Sequence, residues 1–161
     1  LLLAELGESK PVNFAEVDFD ELVKAHVNDF KVLNTSRTVT TVIPDDCFVQ
    51  GSREHLSRLI QNCLSNILRH TPGDAPVSVS LRNSGKRAEL RIEDGGPGLP
   101  DSAYGSEIKF MNRFDPSRSR ESGGSGLGLS IIAAIVQEHS GELELSKSQL
   151  GGLAVTIKIP N

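Results

Sequence analysis

The chain has 161 residues, of which 37% are hydrophobic and 24% charged, and a formal charge of −4. That is length enough for one domain with a real core, and the balance is ordinary for a globular protein. The acidic excess argues against a nucleic-acid binder, which would carry a basic stripe, and no apolar run approaches the ~20 residues of a membrane span. Leu1–Leu3 is too short and lacks the basic flank of a signal peptide. Cys47 and Cys63 have no metal-ligand spacing and read as reduced core thiols of a cytosolic protein. Trp is absent, so the core must be built from Leu, Ile and Val.

Leu1–Leu6 reads as the last turn of a helix that begins before this sequence, and Gly7 and Pro11 punctuate a linker. Asp18 or Asp20 is placed to cap a helix running to about Leu33, with Leu22, Val23, Val27 and Phe30 inward. Thr38–Ile43 is β-branched and strand-like, Pro44-Asp45-Asp46 is a turn, and Cys47–Gln50 is a short strand. The strongest periodicity follows. Leu56, Leu59, Ile60, Cys63, Leu64, Ile67 and Leu68 recur at three–four spacing, Ser52 is placed to cap this helix, and Thr71-Pro72-Gly73 ends it. Val77, Val79 and Leu81 alternate, as do Ala88, Leu90 and Ile92, around a Ser84-Gly85 hairpin turn. Residues 100–124 are polar and aperiodic, long for a plain connection and so a candidate lid. Leu127, Ile131, Ile132, Ile135 and Val136 mark a further helix ending near Ser140-Gly141. Two closing strands carry Leu143/Leu145 and Val155/Ile157/Ile159. Helices and strands that do not alternate regularly predict an α+β sandwich, helices on one face of a mixed sheet.

Three stretches could carry chemistry. Asn62, Asn66 and Arg69 share one helical face, where an amide oxygen is a hard ligand suited to Mg²⁺, and Arg69 and His70 could meet phosphate. Taken alone, the same residues describe a solvated polar stripe with a basic C-terminus. Asp94-Gly95-Gly96-Pro97-Gly98 follows a strand; its carboxylate can accept from an exocyclic amine such as adenine's, and its glycines let a base approach the backbone. It equally describes an acidic turn. Gly124-Ser125-Gly126-Leu127-Gly128-Leu129 opens a helix and suits a phosphate chain. A dinucleotide-binding loop would have to follow a strand, and Asp115–Ser122 is nothing like one; the Gly-Lys-Ser/Thr of a P-loop is missing too. His26, His55 and His139 read as surface or helix-end residues, without zinc spacing.

In this order the stretches resemble the ATP-binding catalytic domain of sensor histidine kinases, within the wider gyrase, chaperone and mismatch-repair ATPase superfamily. The resemblance covers about residues 12–160 and implies a two-layer α/β sandwich of the Bergerat type with a mobile ATP lid over about 100–125. Residues 1–11 would then be the tail of the upstream dimerisation helix and its linker, and 12–161 the catalytic domain. Asn62–Pro72 is similar to the family's asparagine box, which implies Asn66 on Mg²⁺, Asn62 beside the metal and phosphates, and Arg69 and His70 on phosphate or ribose. Asp94, Gly96 and Gly98 match the first glycine box, with Asp94 specifying adenine. Gly124, Gly126 and Gly128 match the second, which brings Ser125, Leu127 and Leu129 to the nucleotide with them. Gly151-Gly152 resembles the closing glycine box, with Leu153 in place of a small hydroxyl residue, and Thr156 is assigned to the nucleotide as well. Phe110, Arg113 and Phe114 resemble the phenylalanine box of the lid. Asp115–Arg120 resembles the segment after it, but with a few intervening residues missing; Arg118 and Arg120 are its nucleotide contacts, and Arg118 joins Asn62 and Asn66 as a catalytic residue.

The resemblance also implies ATP and Mg²⁺ as cofactors. Partners would be the protein's own histidine-bearing dimerisation domain and a response regulator, in a homodimeric protein anchored in the membrane with this domain in the cytoplasm. Neither nucleic acid nor membrane contact by this chain is expected. None of the four histidines has the His-Glu-Leu/Phe setting of the phosphoacceptor, which would lie upstream. An ATP hydrolase of the same superfamily is the competing enzyme, but its water-activating glutamate would stand where this chain has Asn62, an amide that cannot act as a base. A catalytically degenerate, regulatory nucleotide binder is the non-enzymatic alternative, favoured by the short lid.

Overall fold

The computed structural model describes residues 14–99 and 126–161, with backbone only for 126–128. The expected tail over 1–11 and the lid over 100–125 lie outside these residues. In chain order the elements are β1 (Ala15–Asp18), α1 (Phe19–Leu33), β2 (Val39–Val42), β3 (Phe48–Gly51), α2 (Arg53–His70), β4 (Val77–Asn83), β5 (Arg87–Asp94), α3 (Gly126–Glu138), β6 (Glu142–Lys147) and β7 (Leu153–Pro160). Five strands form a mixed sheet in the order β2-β4-β5-β7-β6, with β2 parallel to β4 and every other neighbour antiparallel. β1 and β3 form a separate antiparallel pair.

Strand parity explains the two layers. On β4 and β5 the residues Val77, Val79, Leu81, Ala88, Leu90 and Ile92 point one way, joined by Leu143 and Leu145 from β6 and Val155, Ile157 and Ile159 from β7. Against that face lie Leu56, Leu59, Ile60, Cys63 and Ile67 of α2 and Ile132, Ile135 and Val136 of α3, all buried. Each such aliphatic side chain removed from water contributes roughly 1.5–3 kcal/mol before conformational entropy is counted against it. The opposite face is polar. There Arg91 donates to Thr156 (3.1 Å) and pairs with Glu93 (3.2 Å), while Arg82 pairs with Glu89.

The local signals decide most boundaries. Asp18, not Asp20, caps α1, its Oδ1 accepting from the Glu21 amide at 3.2 Å. Asp20 is buried and instead accepts from the Cys47 amide at 2.8 Å, fastening α1 to the start of β3. Ser52 caps α2 through the His55 amide (3.2 Å), and Thr71 closes it. At the end of α3, Ser140 takes the left-handed conformation (φ 55°), and the Gly141 amide reaches back to Val136 O at 2.9 Å. Gly141 answers a different need: a Cβ there would lie 2.3 Å from Lys158 O, so a side chain would push α3 off β7.

Two features add to the expectations. β1 was not foreseen; it has four residues and gains its bonds from β3, which is remote in sequence. His139 sits at a helix end but is not on the surface. Its Nδ1 donates to Ile135 O (2.8 Å), its Nε2 accepts from the Ser52 amide (3.1 Å), and Phe14 stacks on its ring at 4.7 Å. Beside it His55 pairs with Glu138 at 2.8 Å, so the start of α2 is joined to the end of α3.

Candidate functional site

The site is built where β5 ends. Asp94 continues the core-facing parity of Leu90 and Ile92, so its carboxylate turns toward the helices, and it is 7% exposed. A buried carboxylate needs donors. The Gly96 amide supplies one to Oδ1 at 2.9 Å and the Leu153 amide a second at 3.3 Å, while the Gly152 amide bonds Asp94 O at 3.1 Å. Oδ2 receives no hydrogen bond from a described residue. One oxygen is thus fixed by the backbone.

The glycines around it are dictated by space. A Cβ on Gly152 would lie 2.2 Å from Asp94 Oδ1, one on Gly96 2.5 Å from the Thr71 methyl, and one on Gly95 2.7 Å from the Pro76 ring. Gly98 has φ 74°, a conformation glycine adopts without strain. The 148–152 turn is shaped by Ser148, whose Oγ accepts from the Leu150 amide (2.9 Å) and donates to Glu93 (3.0 Å). Ser148 carries no sequence motif, and only its place in this turn reveals it.

α2 delivers the second group. Asn62 and Asn66 are half-buried, Arg69 is exposed and His70 half-buried, on the flank beside the apolar stripe. Asn62 Nδ2 donates to Arg58 O at 2.8 Å, whereas the Asn66 carboxamide makes no hydrogen bond to a described residue. His70 is held below its ordinary pKa of 6.5, first by burial and then by Arg69, with Asp94 pulling the other way. His70 is therefore mainly neutral at pH 7. Thr71, the cap of α2, abuts Gly96, so this helix end meets the Asp94 turn directly.

α3 delivers the third. It begins at Gly126, within the glycine-rich run, and its first turn contains no acidic residue. Leu129 is buried in the core, so any part it has at a ligand is through its backbone. Leu127 and Gly128 belong to the helical backbone; Phe110, Arg118, Arg120, Gly124 and Ser125 lie outside the described residues. Thr156 is not brought to the site. Period-two alternation puts it on the polar face with Arg91, opposite to the side on which Asp94 turns inward.

This assembly defines a class: an acidic strand end in a glycine cradle, an amide-bearing helix and a glycine-led helix over a mixed sheet. Residues 51–161 match the family described as histidine kinase-, DNA gyrase B-, and HSP90-like ATPase, and the chain belongs to it. Within that family it is an ATP-binding catalytic domain of the sensor histidine kinase kind. It is 36% identical over 118 residues to the signal transduction histidine-protein kinase BaeS of Escherichia coli K12, an alignment covering 73% of this chain and 25% of BaeS. It is 30% identical over 161 residues to the probable sensor histidine kinase TcrY of Mycobacterium tuberculosis, covering 99% and 34%. Among solved structures, the mycobacterial sensor histidine kinase MprB superposes with a TM-score of 0.75 at 27% identity, covering 92% of this chain and 97% of that one. The chain spans about a quarter to a third of the length of BaeS and TcrY.

Proposed function

We propose that this domain binds Mg·ATP and transfers the γ-phosphoryl group to a histidine on a dimerisation domain upstream in the same protein, for passage to a response regulator. The observation that carries the nucleotide reading is Asp94, buried, with Oδ1 held by two backbone amides and Oδ2 left for an amine donor such as that of adenine. Asn66, half-buried and without a described hydrogen-bond partner, fits the hard oxygen ligand that Mg²⁺ requires. The ion, when bound, neutralises charge on the phosphates.

This chain's own residues do the rest. Asp94 and the glycine cradle orient the base, neutral His70 and exposed Arg69 border the phosphates or ribose, and the start of α3 receives phosphate charge on its free amides. Phosphoryl transfer passes through a loose transition state, so positioning and charge stabilisation account for most of the catalysis. The bond from Pγ to the ADP oxygen breaks as one forms to the imidazole nitrogen, whose proton leaves to a base on the helical domain. Asn62 stands where a hydrolase needs a glutamate and cannot take a proton from water. In the phosphates' neighbourhood, Arg118 and Arg120 act from the lid.

On this reading the whole protein is a homodimeric sensor anchored in the cell membrane, with this domain in the cytoplasm. The support is the likeness to sensor kinases several times longer than this chain. Among the described residues no helix is long and apolar enough to cross a membrane.

The test is calorimetric titration with a non-hydrolysable ATP analogue, with and without Mg²⁺. Saturable binding is expected, lost in Asp94→Ala and made insensitive to Mg²⁺ in Asn66→Ala. Labelled phosphate should then pass from ATP to a separately supplied histidine domain. Binding unchanged in Asp94→Ala overturns the adenine assignment, and steady phosphate release without transfer overturns the kinase in favour of a hydrolase.

A further inference from the structure

Arg37 lies between α1 and β2, outside every motif considered above, yet it is one of the few buried charged residues among those described, 8% exposed. Its Nη1 donates to Thr71 Oγ1 at 2.8 Å and to Ala75 O at 3.2 Å, and its guanidinium lies 5.9 Å from the centre of the Phe30 ring. No described carboxylate pairs with it, and its Nε is buried without a hydrogen-bond partner. A buried cation arranged this way is costly to keep, so its placement calls for a reason beyond filling space.

What it holds is the strap from Thr71 to Pro76. The far side of that strap touches the glycine turn: the Thr71 methyl packs where a Gly96 Cβ would be, the Pro76 ring where a Gly95 Cβ would be, and Pro76 O accepts from the Gly95 amide at 2.9 Å. The strap also links two parts of the site, since Thr71 caps the helix bearing Asn66, Arg69 and His70 and abuts the turn bearing Asp94. Thr71 Oγ1 itself donates to Ile67 O at 2.6 Å, so one hydroxyl joins Arg37 to the helix end.

We propose that Arg37 is a positioning residue for nucleotide binding: through Thr71 and Ala75 it sets the separation between the phosphate-facing end of α2 and the Asp94 turn. The inference rests on the nucleotide reading above. Arg37 touches no part of the nucleotide, and its effect is on ligands that span both ends. An adenosine triphosphate analogue engages the helix end and Asp94 together, whereas adenosine engages mainly Asp94.

The experiment measures dissociation constants of adenosine and of a non-hydrolysable ATP analogue by calorimetry, with Tm recorded alongside. The variants are Arg37→Met, Arg37→Lys and Thr71→Val, the last keeping a methyl against Gly96 while removing the acceptor. Loss of a charge-assisted hydrogen bond predicts roughly tenfold weaker ATP-analogue binding in Arg37→Met. Adenosine should change little, and Arg37→Lys should recover most of the loss. Arg37→Met and Thr71→Val should be non-additive when combined. A lower Tm with the ATP-analogue affinity unmoved, or equal losses for both ligands, would show a purely structural residue and overturn the proposal. Should Arg37→Met fail to fold, the milder Thr71→Val and Arg37→Lys decide by the same ratio of affinities. If the unaltered chain binds neither ligand, the nucleotide reading itself falls; if it binds and the variants match it, only this inference does.

Discussion

Replacing Gly152 by alanine is the sharpest probe of the Asp94 cradle. The new methyl would stand 2.2 Å from Asp94 Oδ1, 2.7 Å from Asp94 O and 2.7 Å from the Gly96 amide nitrogen, all well inside contact distance. Two of these neighbours are backbone, so no rotamer change relieves the clash; the carboxylate must turn or the 148–152 turn must lift away. Overpacking of this kind costs typically 1–3 kcal/mol of stability. On the proposed adenine assignment, a displaced Asp94 would also lose a charge-assisted bond to the base, worth about 1.5–3 kcal/mol, or roughly ten- to hundredfold in affinity. Gly151→Ala is the matched control, because its Cβ would meet nothing within 4 Å although φ is +108°. It should cost stability through backbone strain and leave affinity alone. Titrating both variants with an ATP analogue, beside their urea melts, separates the two effects. If folded Gly152→Ala binds as tightly as the unaltered chain, Asp94 is not where the base is recognised.

Other consequences follow from the core and its titrating groups. Leu90→Ala, at a fully buried position on a central strand, should lower unfolding free energy by about 2–5 kcal/mol in a denaturant titration; under ~1 kcal/mol would mean the sheet face is less tightly packed than described. Cys63, whose thiol burial pushes up to about 12, should resist alkylation in the folded chain and react on unfolding, so rapid labelling at neutral pH would contradict its burial. Burial also holds His139 below 6.5, so the unfolded chain takes up its proton first as pH falls. Its stabilising effect is complete above about pH 6.5 and is lost as pH drops toward the depressed native value, at up to ~1.4 kcal/mol per pH unit. His26 and His70 are shifted the same way. Thermal melts should therefore fall on acidification below that point, with a shallower slope in His139→Gln; a Tm that held steady or rose would refute the assignment.

Much of this was legible from residue order because the information was local. Ser52, Thr71-Pro72 and the apolar stripe of α2 set that helix, and alternation about Ser84-Gly85 set the β4–β5 hairpin. The Asp94 turn was legible for the same reason, as an acid at the end of an alternating strand followed by glycines. What escaped depended on distant partners. β1 exists because β3 pairs with it, and His139 is buried because Ser52 and Phe14, both far off in sequence, close over it. Arg37 carries no sequence motif, and its partners Thr71 and Ala75 are distant in the chain. Strand parity puts Thr156 on the polar face with Arg91; the nearby residue that does reach Asp94 is Leu153, by its amide.

The His55–Glu138 pair marks one end of α2 and the Thr71–Gly96 contact the other, which gives the domain opposite poles. Asp94 and the end of α2 share one; Phe14, His139 and the β4–β5 hairpin, to which Asn161 is bonded, share the other. The span between them is about the length of α2, roughly 27 Å at 1.5 Å per residue over its 18 residues. Phe14 thus enters the domain at the pole opposite the Asp94 turn. On the proposed phosphotransfer reading, a histidine borne ahead of Phe14 would have that length of the domain to cover before it met the phosphates.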